Sequence, residues 1–225
     1  QVNIKYYKVA SGEVTNLRLL QKMKKTGKEI FLSTGMSNWN EIDNALEVLG
    51  IKKTTIMQCT SLYPCPVDFV GLNIIPEMLN KYKIPVGFSD HFLGCEAGFS
   101  AAVLGASVIE KHVTFSRKMY GSDAPYAMEL DEFKKYVKGL RLIWKMLDMP
   151  VDKNELDKFK DMKKVFEKSI VTSRRLEKGR VIQVSDLSFK KPGTGINASK
   201  YRNIIGKKLK NSLEKNIMIK LTDLE

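Results

Sequence analysis

The stretch that decides the fold is Lys83-Ile-Pro-Val-Gly-Phe-Ser-Asp-His91, and a second stretch, Gly105-Ala-Ser-Val-Ile-Glu-Lys-His112, has a similar form. Each is a short apolar run of strand type that ends in a histidine, and the chain has only these 2 histidines. About one strand-plus-helix repeat separates them. If the two strands are parallel neighbours, both imidazoles emerge at the same end of a sheet, as a metal site or an acid–base pair requires. The alternative is that two histidines simply cap strands.

Apolar strands alternate with helices from residue 5 to about residue 148. The expected strands are residues 4–10, 29–32, 54–58, 85–88 and 107–110. Asn38 and Glu41 have the spacing of a capping box before the second helix. This alternation predicts a parallel sheet covered by helices.

Polar side chains follow each of the five expected strands, which is where a (β/α)8 TIM barrel builds its active site. A doubly wound sheet would instead concentrate its site at one switch point, usually beside a glycine-rich loop. The sequence has no GxGxxG or P-loop motif, so the barrel is the favoured interpretation. The last expected helix, residues 131–147, carries an apolar stripe at helical spacing. Its members are Phe133, Val137, Leu140, Trp144 and Leu147.

Five strand–helix units are fewer than the eight that a barrel needs. We therefore expect the chain to be an N-terminally truncated barrel protein whose first three units are missing. With those strands absent the barrel cannot close and apolar surface stays exposed. The expectation is that this chain alone is insoluble or inactive.

The character of the sequence changes after residue 149. We expect a partial barrel domain over residues 1–149, a charged helical linker over 150–168, and a small β-rich domain over 169–225. Short β runs are expected at 169–173, 181–183, 187–189, 204–209 and 217–221. A domain of this size is marginal alone and is expected to dock on something.

Composition excludes several classes of protein. The net charge is +13, but the lysines are dispersed over helices and no nucleic-acid motif accompanies them, so we expect no nucleic-acid partner. No apolar run approaches the roughly 18–20 residues of a membrane span, so we expect no membrane partner. The 3 cysteines form no CxxC pair, which argues against a disulfide framework and fits a reducing cytoplasm.

Seven motifs in order resemble the sialic acid synthase family, which comprises N-acetylneuraminate synthases and the related legionaminate and pseudaminate synthases. They are Lys8-Val-Ala-Ser-Gly-Glu13, Leu32-Ser-Thr-Gly-Met36, Cys59-Thr-Ser-Leu-Tyr-Pro64, Gly87-Phe-Ser-Asp-His91, Val108-Ile-Glu-Lys-His112, Gly121-Ser-Asp123 and Lys191-Pro-Gly-Thr-Gly195. The C-terminal part resembles the antifreeze-like (SAF) domain of that family. The family's barrel begins about three strands before Gln1, in agreement with the strand count.

The resemblance implies an enzyme that condenses phosphoenolpyruvate with an N-acylated aldose, such as N-acetylmannosamine, to give a nine-carbon 2-keto acid and phosphate. It implies that His91 and His112 bind Mn²⁺ or Mg²⁺ and that Glu13 holds sugar hydroxyls or moves a proton. It also implies a domain-swapped homodimer. The residues implied for phosphoenolpyruvate are Lys8, Ser11, Ser33, Ser61 and Ser89, and those implied for the sugar are Glu13, Tyr63, Asp123 and Lys191.

These residue types suit that chemistry. Two imidazoles leave coordination positions open for water and an aldehyde oxygen. Lysine and serine side chains hold phosphate and carboxylate groups. Asp90 and Glu110 flank the histidines, and we expect strand alternation to point both away from the ligand side, where they could support the imidazoles.

The chain departs from the family pattern where the sugar is recognised. Gln58 replaces a common histidine, Ser61 a common asparagine and Lys191 a common arginine. A lysine does not reproduce the planar fork of arginine, so the sugar stays open between the sialate, legionaminate and pseudaminate precursors. The residues also leave open a Schiff-base aldolase, a metal hydrolase, and a non-enzymatic sugar-binding or ice-like surface protein that uses only the C-terminal domain.

Overall fold

The computed structural model describes residues 3–225 and divides into two compact units, Gln1–Pro150 and Val151–Glu225. Among the described helices, none has the length and apolar character needed to cross a membrane.

The first unit is built on a five-stranded parallel sheet. Its strands are β1 (Tyr6–Val9), β2 (Glu29–Ser33), β3 (Thr54–Cys59), β4 (Val86–Asp90) and β5 (Val108–Lys111). They pair in the order β1-β2-β3-β4-β5, each strand parallel to the next. This sequential order has no switch point, so the doubly wound alternative is excluded for this sheet.

Helices connect successive strands of this sheet. They are α1 (Leu17–Lys25), α2 (Trp39–Leu49), α3 (Ile74–Tyr82), α4 (Glu96–Val103) and, after β5, α5 (Leu130–Leu147). The predicted capping box of α2 is confirmed, because Asn38 and Glu41 exchange side-chain to backbone hydrogen bonds of 2.9 and 3.0 Å. A short parallel pair, β6 (Val113–Thr114) and β7 (Met128–Glu129), brackets the loop between β5 and α5.

The sheet is strongly curled. Lys8 on β1 and Glu110 on β5 form an ion pair of 3.2 Å although these strands lie at opposite ends of the strand order. Four strand spacings of about 4.8 Å would hold those strands about 19 Å apart in a flat sheet, too far for a lysine and a glutamate to meet. The five strands therefore form part of a rolled sheet, with their side chains converging on its inner side.

The core of the unit lies between the strands and their helices. Leu32, Ile56 and Val86 of the sheet and Leu20 and Ile75 of the helices are completely buried. Every residue of β4 is buried, as the apolar run in the sequence predicts for a central parallel strand. Burial of this kind fixes the strand ends, which carry the polar side chains.

Helix α5 departs from the predicted stripe. Leu140 is buried as expected, but Leu147 is 51% exposed, and the most buried large side chain of the helix is Tyr136, which the stripe does not include. Tyr136 is polar at its tip, so a pattern of purely apolar spacing overlooks it.

The second unit begins with a short helix and continues as a compact β-rich body. Its helix α6 spans Lys160–Phe166, preceded by a 3-10 turn at Asp157–Phe159, so helix occupies less of the charged connector than the sequence predicts. The antiparallel strands β8 (Ser169–Thr172) and β9 (Leu187–Lys190) are its only ladder among residues 151–225. The expected strands at 204–209 and 217–221 contribute single bridges, such as Leu209 with Leu224, instead of ladders.

A buried carboxylate organises this unit. Asp186 has a fully buried side chain that accepts hydrogen bonds from Arg174 and Arg180, with closest distances of 2.8 and 3.0 Å. Burial alone would raise the pKa of Asp186, but the two guanidinium groups and the Gln183 N–H hold that pKa below its ordinary value. The apolar core of the unit packs around completely buried Ile170 and Leu209.

Candidate active site

A cavity of about 510 Å³ opens at the carboxyl ends of β1 to β5. Its lining residues are Lys8, Ala10, Ser11, Gly12, Ser33, Met36, Cys59, Ser61, Tyr63, Ser89, His91, Glu110, Lys111 and His112. They come from the ends of all five strands because parallel strands that curl together bring their carboxyl ends to one rim.

One wall of the cavity is made of hydroxyl groups. Ser33 Oγ is buried and, among the described residues, is the one buried side-chain nitrogen or oxygen without a hydrogen-bond partner. An orphaned buried hydroxyl is costly, so it points to a group that this wall receives.

Gly35 allows the neighbouring hydroxyls to approach closely. A Cβ at Gly35 would lie 2.6 Å from Ser61 Oγ and 2.8 Å from Cys59 Sγ, which is closer than real contacts allow. The Gly35 N–H donates to Ser11 Oγ at 2.9 Å, and Ser11 Oγ in turn lies 3.7 Å from Cys59 Sγ. The absence of a side chain at Gly35 is what lets three polar side chains converge on this wall.

Glu110 contacts both the ammonium group of Lys8 and the hydroxyl of Ser89 within the cavity. Its Oε2 lies 3.2 Å from Lys8 Nζ and accepts a hydrogen bond from Ser89 Oγ at 2.7 Å. Lys8 therefore faces the cavity, with its charge balanced by a carboxylate that is itself 44% exposed.

The two histidines lie side by side, with ring centroids 5.4 Å apart. His91 Nδ1 lies 2.8 Å from the carbonyl oxygen of Thr60. Because a carbonyl oxygen only accepts hydrogen bonds, His91 Nδ1 carries the proton, and the lone pair of the neutral ring is on Nε2.

Tyr63 and Asp123 complete the surroundings of the imidazoles. The Tyr63 ring centroid is 4.2 Å from that of His91 and 5.9 Å from that of His112. Asp123 Oδ2 lies 3.7 Å from His112 Nδ1, which is too long for a hydrogen bond.

The residues of the site perturb one another's proton affinities. Burial alone would raise the pKa of Cys59, but its contact with His91 and the hydroxyls of Ser11 and Ser89 bring that pKa below its ordinary value. Burial alone would lower the pKa of His91, but Cys59 and the Thr60 carbonyl raise it. Such opposed shifts in one cavity are typical of functional sites.

The donor set near the histidines suits a weakly held divalent ion. Within residues 3–225, no three His, Cys, Asp or Glu side chains group closely enough to hold a metal by themselves. His91 and His112 are neighbours, however. The carbonyl of Thr60 fixes the tautomer of His91, and backbone carbonyls do the same for many metal-binding imidazoles. Two imidazoles fit an ion that keeps most of its coordination positions for water and substrate oxygen.

The structure brings eight of the eleven predicted site residues to this cavity. They are Lys8, Ser11, Ser33, Ser61, Tyr63, Ser89, His91 and His112. Asp123 is outside the lining but contacts His112. Glu13 follows β1 in a 3-10 turn, where its carboxylate accepts a hydrogen bond of 2.8 Å from Asn16. Lys191 belongs to the second unit, where its ammonium lies 4.8 Å from the Phe166 ring centroid.

The expectation for Glu110 is wrong, whereas that for Asp90 agrees with the structure. Glu110 lines the cavity, while the Asp90 side chain is buried against Tyr136 of α5. Strand alternation predicts the correct face for Glu110 when positions are counted back from His112. Glu110 is two positions before His112, and residues two positions apart in a strand point to the same face. The register confirms this, since Glu110 pairs with Ser89 and Lys111 with Asp90.

Comparison with known proteins gives two family matches, the NeuB family over residues 1–152 and the SAF domain over residues 167–225. The chain is 39% identical over its whole length to an uncharacterised protein of Methanocaldococcus jannaschii, of which it covers 67%. It is 36% identical over 92% of its length to an N,N'-diacetyllegionaminic acid synthase of Campylobacter jejuni, of which it covers 63%. The chain thus spans about two thirds of the length of these relatives.

A solved structure gives a related result. The N-acetylneuraminic acid (sialic acid) synthetase of Leptospira borgpetersenii matches with a TM-score of 0.65 and 30% identity, over 71% of this chain and 57% of that protein.

Proposed function

The chain belongs to the NeuB family, and from that membership and the cavity we propose that it acts in an enzyme that joins phosphoenolpyruvate to an N-acylated aldose. The products of the proposed reaction are a nine-carbon 2-keto acid and phosphate. Relatives named as synthases of legionaminic and sialic acids support the reaction type. For the sugar we propose N-acetylmannosamine first, with a legionaminate or pseudaminate precursor as the alternative.

The observation that carries the proposal is the unpartnered hydroxyl of Ser33. A buried donor without a partner costs free energy, and an anionic oxygen repays that cost through a charge-assisted hydrogen bond. Ser11, Ser61, Ser89 and Lys8 line the same cavity. One lysine with four serines supplies the charge and donors that a phosphate and a carboxylate together need.

Glu110 gives this anion site a further property. It holds the Lys8 ammonium and the Ser89 hydroxyl, so an incoming phosphoryl or carboxylate oxygen competes with Glu110 for the same donors. In the proposed site Glu110 keeps Lys8 extended into the cavity and limits the excess positive charge there.

For the metal we propose Mn²⁺ or Mg²⁺ held by His91 and His112. When bound, such an ion supplies a Lewis acid for the aldehyde oxygen of the sugar and activates water. The protein's own part is orientation, because the Thr60 carbonyl holds His91 with Nε2 free to coordinate, and Tyr63 packs against both rings.

The proposed sugar contacts are Tyr63, Asp123 and Glu13. Tyr63 is 49% exposed at the rim and offers both a ring face and a hydroxyl. Asp123 lies beside His112, so it can accept hydrogen bonds from sugar hydroxyls next to the reacting carbonyl. We assign Glu13 to sugar binding or proton transfer on the strength of the family pattern, together with its position directly after β1.

Two architectural proposals follow from the same family membership. The curled five-stranded sheet is proposed to be part of a (β/α)8 barrel, which the ion pair between Lys8 and Glu110 supports. The protein is proposed to form a homodimer in which Lys191 of one copy contacts the N-acyl group in the site of the other. Apolar side chains between 45% and 55% exposed support an interface in the segment before β8, namely Leu156, Phe159, Met162, Val165 and Phe166.

Free thiols at all three cysteines agree with the proposed cytoplasmic setting.

Binding of phosphoenolpyruvate to the purified full-length protein tests the proposal without any knowledge of the sugar. Titration calorimetry with MnCl2 present is expected to show one site in the wild-type protein. Binding is expected to be about 10- to 100-fold weaker in Ser33→Ala, the loss typical of one hydrogen bond to a charged group. Absence of binding, or equal binding by the variant, would contradict the assignment of the cavity.

A further inference from the structure

A buried ion pair lies one residue before each of the two histidines. Asp90 and Lys111 occupy paired positions of β4 and β5, and Lys111 Nζ is 3.0 Å from Asp90 Oδ2. Their side chains are 0% and 3% exposed, so neither charge is solvated by bulk water. Since the next residues on the chain are His91 and His112, this pair links the two imidazole-bearing segments directly.

The same pair fixes the backbone on the far side of His91. Asp90 Oδ1 accepts a hydrogen bond of 2.9 Å from the Phe92 N–H, and Lys111 Nζ donates to the Phe92 carbonyl oxygen. His91 therefore lies between Asp90, a member of the ion pair, and Phe92, whose backbone is bonded to both members of the pair. A shift of Lys111 would move the backbone at both histidines.

Helices α4 and α5 both contribute to this cluster. Tyr136 of α5 is buried, and its hydroxyl donates to Asp90 Oδ2 at 3.1 Å. A Cβ at Gly98 of α4 would lie 1.6 Å from the Tyr136 oxygen, so only glycine leaves room for it. The Tyr136 ring also stacks on Phe99, with centroids 5.4 Å apart. The absence of a side chain at Gly98 and the ring of Phe99 thus place the Tyr136 hydroxyl against Asp90.

Stability alone is a poor explanation for such a cluster. Removing two charges from water costs free energy that their attraction only partly returns, and apolar replacements of equal volume are often as stable. What charged groups add is a fixed geometry, because each hydrogen bond has a required direction.

We propose that Asp90, Lys111 and Tyr136 are positioning residues that set the spacing and orientation of His91 and His112. The consequence for metal affinity rests on the proposed function, in which the two imidazoles hold a divalent ion. The positioning itself is a property of the two side chains and is measurable without metal or substrate.

Tyr136→Phe is the main test, because it removes only the hydroxyl. Its matched control is Tyr82→Phe, since Tyr82 donates to Asp43 at 2.7 Å in a similar Lys–Asp–Tyr cluster that is exposed and formed by α2 and α3. A second variant, Asp90→Asn with Lys111→Met, removes both charges at nearly constant volume and leaves no buried ion unpaired.

Three measurements on the purified protein distinguish positioning from general stability. They are the thermal midpoint, the affinity for MnCl2 from the spin-resonance signal of free Mn²⁺, and long-range ¹⁵N spectra of the imidazoles. The ring systems of His91 and His112 are assigned in those spectra by their loss in His91→Ala and in His112→Ala. The wild-type protein is expected to show His91 protonated on Nδ1.

In Tyr136→Phe and in the double variant, we expect MnCl2 affinity to fall roughly 10- to 100-fold, as for other residues that orient metal ligands. We expect the His91 and His112 ring signals to shift, while Tyr82→Phe leaves both readouts unchanged. Wild-type affinity and wild-type ring spectra in Tyr136→Phe would overturn the proposal, whether or not the double variant folds. If the wild-type protein binds no Mn²⁺, the proposed metal is wrong, and the metal-free ring spectra alone then decide the positioning.

Discussion

Lys8 Nζ and Glu110 Oε2 lie 3.2 Å apart although they belong to β1 and β5, the two ends of the strand order. The contact forms only because the sheet curls and brings these two strands close together. It also places a cation and a carboxylate on the same cavity as two histidines and a wall of serines. The curl of the sheet therefore determines which side chains meet in the cavity.

Ser33→Ala is expected to leave stability unchanged or slightly raised, because the lost hydroxyl has no partner in the fold. Ser169→Ala is the matched control. Ser169 is also buried, but its Oγ donates to the Pro192 carbonyl and accepts from the Gly195 N–H, so its loss should cost about 1–2 kcal/mol. Chemical denaturation of the two variants measures this difference. A Ser33→Ala protein destabilised as much as Ser169→Ala would show that Ser33 serves the fold.

Gly35→Ala is expected to reduce kcat/KM at least about tenfold and to cost roughly 1–3 kcal/mol, because the new methyl group collides with Ser61 and Cys59. Gly12→Ala is the control, because Gly12 lines the same cavity. A methyl group at Gly12 would lie 3.5 Å from the end of the Met36 side chain, which is an ordinary contact. Steady-state kinetics should therefore show a much smaller loss for Gly12→Ala. Equal losses in both variants would mean that close packing at Gly35 is unimportant.

Removal of divalent metal is expected to abolish turnover, and added MnCl2 is expected to restore it. His91→Ala and His112→Ala should each weaken Mn²⁺ binding by more than the ~100-fold typical of a residue that only orients a ligand. Both proteins should keep a near-native thermal midpoint, because neither ring belongs to the apolar core. Full activity after exhaustive chelation would refute the metal proposal.

Acid is expected to destabilise the second unit through Asp186. Its folded-state pKa lies below its unfolded-state value, so its contribution to stability is present above the unfolded pKa, about 3.9, and is lost as the pH falls through the folded pKa. Asp186→Asn should cost roughly 2 kcal/mol at neutral pH, since both arginines keep some contact with water.

The denaturation free energy of the unit, followed by amide resonances of β8 and β9 against pH, checks this account. The wild-type curve should fall below about pH 4, whereas the Asp186→Asn curve should be flatter there. Parallel curves for the two proteins would show that the carboxylate does not contribute in this way.

The sequence predicts the order and kind of elements in the first unit because each strand is a compact apolar run followed by polar residues. Together with the family resemblance, it also predicts eight of the fourteen lining residues, since a side chain at or just after the end of a parallel strand lies at this rim. The pattern after β4 and β5 predicts that His91 and His112 lie together if the two strands are parallel neighbours, and the structure shows both.

The remainder depends on contacts between distant residues. Tyr136 reaches Asp90 from 46 positions away, and no local pattern distinguishes it from the other aromatic residues of α5. The orphaned state of Ser33 is likewise a property of its surroundings and leaves no trace in composition. In the second unit, chain segments such as the one around Leu209 satisfy their backbones through single bridges, which alternation does not predict.

The most direct test of the central claim is an assay of the purified full-length protein with phosphoenolpyruvate, MnCl2 and a panel of N-acylated aldoses that includes N-acetylmannosamine. We predict that one sugar yields a nine-carbon 2-keto acid and phosphate in equal amounts. Omission of the sugar, phosphoenolpyruvate or MnCl2 should stop the formation of both products. Product of the same mass with pyruvate in place of phosphoenolpyruvate, or a lysine adduct trapped by borohydride in the presence of pyruvate, would point to an aldolase. Either outcome, or no product with any sugar of the panel, would contradict the account.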